Sequence, residues 1–500
     1  MSRATQVLQW APAGLSAQIE FDEDGNLVQF ALPPRDAPGP GRAPLAYLSG
    51  LGVESVRIDG VDHAAEVVRA ELDVDEVDQR GEAGPLAVRV RHNLDSSWRV
   101  RIAVRNGAAE TVTIDRLVLA VHAGDDARLQ LHAAGALTMV TALPTQVGSG
   151  GGMPLLNLRL QRGELAVRDN QLVAEKLVLA PGEGYVLSFS GQVFDSPHEI
   201  EASYPAWFPP SLDLACGDRL AITHPDGAVT GTDVEATTED GVPTFAPESG
   251  SGTAVVNVAD PTGVSRLDVS WESPLPHELA RTAAAVVSTG QATSDAEALV
   301  VLTAGRRQLI PAADADRVLD DYRDRPSRQM TPLRVSLWAR RHASWGDADD
   351  LTAALDAFDE VPVQSGVGFA VLDLWAALRQ RQPSQRDQDR LQEGLARVSA
   401  ADQGPVALEL ATVMGPGAGR LAELSAMLGA GLPGRPWPPV GGTELAHRAA
   451  LLQYGGQLVG QEEFGAPIVE RITRRVLAAL HEEPAALRNA PALAWLCFTE

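Results

Sequence analysis

The sequence predicts a multidomain chain, β first and α second. A large antiparallel β-sandwich is expected over residues 1–203, a small immunoglobulin-like β-sandwich over 204–273, and an all-helical αα-hairpin array or toroid over 274–500. Three observations predict this. Near Pro274 and Pro276 the apolar spacing changes from every second residue to every third or fourth, which is the change from half-buried strands to amphipathic helices. The front half is punctuated by Gly, Asp and Asn at regular intervals, as strand turns require. The stretch YPAWFPP, from Tyr204, carries three prolines that cannot lie in a central strand, so it separates two β modules. A chain of 500 residues has room for three domains of about 150 residues each.

Taken in order, SAQIEFDEDGNLVQFAL reads as two strands around an Asp- and Gly-bearing turn. Strands follow in EVVRAELDV, LAVRVRH, SWRVRIAVRN and ETVTIDRLVLAV. The clearest alternation sets Trp98, Val100, Ile102 and Val104 on one face and Arg99, Arg101 and Arg105 on the other. Further strands fall around 129–141, 155–160, 171–177 and 185–193. After the linker, DRLAITH, AVTGTDVEA, GTAVVNVAD and SRLDVSW suit a small sandwich. From Leu275 on, the stripes are helical: Val367, Val371, Leu374 and Leu378; Leu391, Leu395 and Val398; Leu421, Leu424 and Leu428; Ile468, Ile472, Val476 and Leu480. Ser294 with Glu297 forms a capping-box pattern. Short Gly/Pro loops between these helices predict stacked αα-hairpins.

The formal net charge is −25, which repels nucleic acid and anionic lipid, so neither is an expected partner. No apolar run approaches the roughly 18 residues of a membrane span, and the N-terminus lacks a basic segment followed by an apolar one. The two cysteines, Cys216 and Cys497, belong to no metal or redox motif and read as small buried hydrophobes. Together these features predict a cytoplasmic protein without cofactors. Lys176, mid-strand and outside any SxxK pattern, is the single lysine.

Two loops carry residue types suited to a ligand. In SWGDADD, Ser344 to Asp350, Trp345 offers a flat apolar face, and Asp347, Asp349 and Asp350 offer carboxylates. An aromatic plate beside paired acids is what sugar binding or glycoside hydrolysis needs. The same acids also suit the first turn of a helix, with Asp347 as its cap. The long loop from Gly429 to Glu444 holds Trp437, either as a ligand contact or docked on neighbouring helices.

Other patterns read as structural. VMGPGAGR, with Gly415, Gly417 and Gly419, lacks the strand–turn–helix context of a nucleotide fingerprint. Arg89, Arg91, Arg99, Arg101 and Arg105 form a basic face that Arg69, Glu71, Asp73 and Asp75 of a nearby strand are expected to pair with and neutralise. His122 and His132, on strands expected to be neighbours, could approach each other. No histidine pair has metal-ligand spacing, and no GxSxG elbow or P-loop is present.

The order of large sandwich, small β module and paired helices, with the rhythm of SWRVRIAVRNGAAETVTIDRLVLAV, resembles carbohydrate-active enzymes built from a β-supersandwich and an (α/α)6 toroid. Glucoamylase-like and phosphorylase-like hydrolases are examples. The resemblance is architectural and rests on no residue-by-residue motif. It implies a site on the helical part, near Trp345, Asp347, Asp350 and Trp437. The leading expectation is a non-catalytic binding or scaffold protein for a protein or glycan partner, its oligomeric state open. The alternative is a glycoside hydrolase-like enzyme, which requires two carboxylates about 5 to 10 Å apart in an aromatic-lined cleft.

Overall fold

The computed structural model describes residues 6–11, 15–33, 44–95, 97–145, 154–223, 227–248, 251–323, 330–380, 384–399, 409, 432, 434–437, 441–459, 466–481 and 486–498. The glycine-rich VMGPGAGR segment, the stripe at Leu421, Leu424 and Leu428, and the glycine-serine stretch near Gly150 lie outside the described residues. The chain forms two compact units, and the order is β then α, as the apolar spacing predicts. One unit comprises Met1–Trp271 with Ser425–Val440. The other comprises Glu272–Leu424 with Gly441–Glu500.

In the β unit, an eight-stranded sheet runs from Gln6–Trp10 through Leu45–Ile58 and Val112–Ala123 to Ala166–Arg168. A 13-stranded sheet runs from Val229–Thr232 through Gly263–Glu272, Ala127–Gly135, Met139–Pro144, Leu155–Arg162 and Trp98–Asn106 to Glu66–Leu72. Their inner faces share one apolar core, in which Phe21, Phe30, Tyr47, Trp98 and Phe189 are almost wholly buried. Trp98, Val100, Ile102 and Val104 point into it and their arginine neighbours point out, because a pleated strand alternates its faces. A second core joins Trp207, Phe208, Phe245, Val256 and Trp271 to Ala133, Leu137 and Met139 of the preceding strands.

Arg89 and Arg91 of the basic face are ion-paired, but from a different strand than expected, and Arg99 pairs with Asp95. Glu76–Ala83 lies between Glu66–Leu72 and Leu86–Leu94. Its Asp78 holds Arg89 at 2.6 Å, and its Glu76 accepts from Arg91 at 2.7 Å. His122 and His132 sit in different sheets, because the turn after Ala123 carries the chain from one sheet to the other.

The helical unit contains most of the helices. Among the described residues, with the short α1 (Pro197–Ala202) of the β unit, these are α2 (Leu275–Thr289), α3 (Asp295–Arg306), α4 (Ala312–Arg323), α5 (Pro332–Trp345), α6 (Ala348–Glu360), α7 (Val367–Gln380), α8 (Gln385–Ser399), α9 (Gly442–Val459), α10 (Ala466–His481) and α11 (Ala490–Leu496). Helix α3 packs on α5, α5 on α7, α9 on α11, and α11 returns to α3. Glu409 spans the remaining step: it is fully buried, accepts from the Gly366 and Phe369 N–H groups at 2.6 and 3.1 Å, and faces His447 of α9 at 3.3 Å. Helices α2, α4, α6, α8 and α10 pack against members of this series. The described helices thus form a paired helical array whose contacts run from α3 through α5 to α7, and from α9 through α11 back to α3.

Local chemistry sets the helix ends. Ser294 caps α3 by accepting from the Glu297 N–H at 3.2 Å, while the Glu297 carboxylate reaches back to the Thr293 N–H at 2.6 Å. Gly346 ends α5 in the left-handed conformation, at φ 75°.

Candidate functional site

The residues that come together lie where α4 ends, α5 ends and α6 begins. On α5, Arg334, Trp338, Arg341 and Trp345 recur at spacings of four, three and four, so they form one stripe. Gly346 turns the chain, and Asp347 caps α6, its Oδ1 accepting from the Asp349 N–H at 3.0 Å. That turn brings Asp350 back against the α5 stripe and the end of α4.

Arg323, at the end of α4, joins the two acids. Its Nη1 donates to Asp347 Oδ2 at 3.1 Å and to Asp350 Oδ1 at 3.3 Å. The two carboxylate oxygens are therefore no more than about 6.4 Å apart, the two distances laid end to end. Arg341 lies 3.5 Å from Asp350 Oδ1 and donates to Asp320 Oδ1 at 2.6 Å. Its guanidinium also stands 6.0 Å from the Trp345 ring centre, on whose face the ring quadrupole attracts a cation. Trp345 is 47% exposed, whereas Asp350 is fully buried.

Burial separates the two acids electrostatically. Desolvation pushes the Asp350 carboxyl above the ordinary carboxylate range, and the Arg341 charge only partly offsets it. Asp347 is held below that range, first by the Asp349 N–H and then by Arg323. Asp350 Oδ2 and Arg341 Nη1 are buried and have no hydrogen-bond partner among the described residues.

Trp345, Asp347 and Asp350 thus share the α5–α6 turn of the helical unit. Trp437 belongs to the other unit. It lies in the β unit, in the strand Arg435–Trp437, which pairs with Leu129–Leu131 of the 13-stranded sheet. Its side chain is 7% exposed and packs in the large apolar core. The long loop from Gly429 is drawn in at this point because an indole buried on a sheet removes more apolar surface from water than one left in a loop.

Arg323, Arg341 and Asp320 complete the seam and were not singled out from the sequence. The helical spacing of Arg341 from Trp345 was the signal available. A second polar cluster, in the β unit, is also missed. His132 Nδ1 contacts the Tyr204 hydroxyl, Thr141 Oγ1 lies 2.6 Å from His132 Nε2, and Asn157 donates to Thr141 at 2.8 Å. His132, Thr141 and Asn157 are on three neighbouring strands and Tyr204 follows the short helix Pro197–Ala202, so only the three-dimensional arrangement joins them. Among the described residues no group of three or more His, Cys, Asp and Glu could hold a metal ion, and no helix is long and apolar enough to cross a membrane.

No family model and no curated protein matches the chain. Among solved structures it is similar to a polysaccharide lyase, with 11% identity and a TM-score of 0.56, over 93% of this chain and 82% of that one. A candidate aldose 1-epimerase from Escherichia coli K12 matches 38% of this chain and 99% of its own, at 12% identity and a TM-score of 0.23. The likeness to the lyase is one of fold. It extends over nearly the whole chain and fits the carbohydrate-active-enzyme-like architecture that the sequence resembles.

Proposed function

We propose that this chain is a glycan-binding protein, and that the seam at the α5–α6 turn binds a saccharide without cleaving it. The observation that carries this reading is the exposed indole of Trp345 beside a rim of ion-paired Asp and Arg side chains. A pyranose presents an apolar C–H face to an aromatic ring, and its hydroxyls bond to planar charged groups. Groups already locked by each other lose little freedom on binding. The fold shared with a polysaccharide lyase supports a glycan over a protein as the partner. A thermal-shift screen against neutral and acidic glycans tests it, since a ligand that binds only the folded state raises the melting temperature. At least one saccharide is expected to do so. A flat response across the whole set would sink the reading.

Hydrolysis is the second reading, and one observation favours it. Asp347 and Asp350 lie close together with their affinities for a proton pushed apart, which is the usual mark of an acid and its partner carboxylate. Against it, Asp350 is fully buried, with the guanidinium groups of Arg323 and Arg341 on its Oδ1. Release of reducing ends by the wild-type protein, lost in Asp350→Asn, would replace the binding reading with this one.

A further inference from the structure

We infer that the saccharide taken by the Trp345 seam carries no carboxylate or sulfate: it is a neutral, hydroxyl-rich glycan. This rests on the glycan-binding reading and narrows it to a ligand class.

The argument is one of charge and of which atoms face solvent. Three carboxylates, of Asp320, Asp347 and Asp350, meet two guanidinium groups, of Arg323 and Arg341. Asp349, on the first turn of α6, adds a further exposed carboxylate beside them. Both arginines are already engaged: Arg323 with Asp320, Asp347 and Asp350, and Arg341 with Asp320 and Asp350. The side chains that reach water are chiefly the acids. Those of Asp320 and Asp347 are 55% and 41% exposed, against 30% for Arg323 and 9% for Arg341. A ligand arriving on the Trp345 face therefore meets hydrogen-bond acceptors and must bring donors.

Sugar hydroxyls are such donors. A uronate or sulfate would instead face like charge, and among the described residues of the seam both guanidinium groups, of Arg323 and Arg341, are already paired with carboxylates. The net charge of −25 on the whole chain adds a longer-range repulsion toward polyanions.

Titration calorimetry separates the possibilities. The probes are neutral oligosaccharides of xylose, mannose and glucose, and oligogalacturonate as the anionic arm. A neutral oligosaccharide is expected to bind, with affinity that changes less than about twofold as salt is raised, because no ion pair forms. Trp345→Ala is expected to weaken it at least tenfold. Trp375→Ala, which removes the other exposed tryptophan of the helical unit, is expected to leave it unchanged. Asp320→Asn should reduce the exclusion of oligogalacturonate while changing neutral binding only a few-fold. Equal or tighter binding of oligogalacturonate by the wild type would overturn the inference and leave the glycan-binding reading standing. Neutral binding that survives Trp345→Ala in a protein of unchanged melting temperature would overturn the placement of the ligand. No binding by either class would overturn the glycan-binding reading itself.

Discussion

Asp350 shows how one buried charge organises the seam. Its carboxylate has left water completely, and the favourable terms that hold it are Arg323 and Arg341. Breaking a buried pair by removing one partner costs more than the pair contributed, because the other charge stays stranded. Arg341→Ala is therefore expected to destabilise the protein by about 3–5 kcal/mol, read from urea unfolding. Adding Asp350→Asn should recover part of that loss; a double variant no more stable than the single one would contradict this account. His92 makes the opposite case, a buried base held neutral. Its ring lies between Phe21 and Trp98, and burial lowers its pKa from 6.5 to about 3. The unfolded chain therefore binds a proton that the folded one refuses between those values, so stability falls as pH drops from about 6.5 toward 3. Replacing His92 by Leu should flatten that part of the stability–pH curve, measured by urea titration at stepped pH. An unchanged slope would show that other groups set it.

At the scale of elements, the α5–α6 turn was largely legible and its partners were not. SWGDADD contains both a left-handed Gly and a capping Asp, and those two residue types fix the turn whatever surrounds it. Gly346 and Asp347 do so here, at φ 75° and with a 3.0 Å cap. Asp347→Ala is expected to cost about 1 kcal/mol in thermal unfolding, the usual worth of a cap. Gly366→Ala should cost clearly more. Its φ is 98°, and an added Cβ would stand 2.3 Å from the Trp495 ring, so backbone and packing both object. If the two variants melt alike, the close approach of Trp495 is wrong. What the sequence did not reveal is pairing across distance. Glu76–Ala83 was missed as a strand because EVDQRGEA carries charged side chains where an apolar face would announce itself, and its Asp78 is buried only because Arg80 and Arg89 meet it there. Arg323 lies more than 20 positions before the acids it holds, Asp320 lies as far before Arg341, and no local rule links them.

Over the whole molecule, the β-then-α order was readable because burial imposes a period of two on strands and of about 3.6 on helices over hundreds of residues. The return of the chain to the sheet at Arg435–Trp437 was not readable, since three residues show no period. That return makes the β unit discontinuous: Met1–Trp271 is completed by residues far along the chain. Arg435–Trp437 adds backbone pairing to Leu129, Gln130 and Leu131. Trp437 fills the large core, and the Leu432 carbonyl accepts from buried Gln130 at 3.3 Å. Without them the Leu129 edge loses a strand, Gln130 keeps an unmet donor, and a cavity the size of an indole opens. Truncating a buried Trp costs about 3–5 kcal/mol, and a stranded buried donor about 1–3 more. A fragment of residues 1–271 is therefore expected to melt well below the β unit of the intact chain. A synthetic peptide spanning 429–440, added in trans, should raise its melting temperature, and the same peptide with Trp437→Ala should not. A 1–271 fragment as stable as the intact chain's β unit, or one indifferent to the peptide, would show that the strand is an ornament of the sheet and not part of its core.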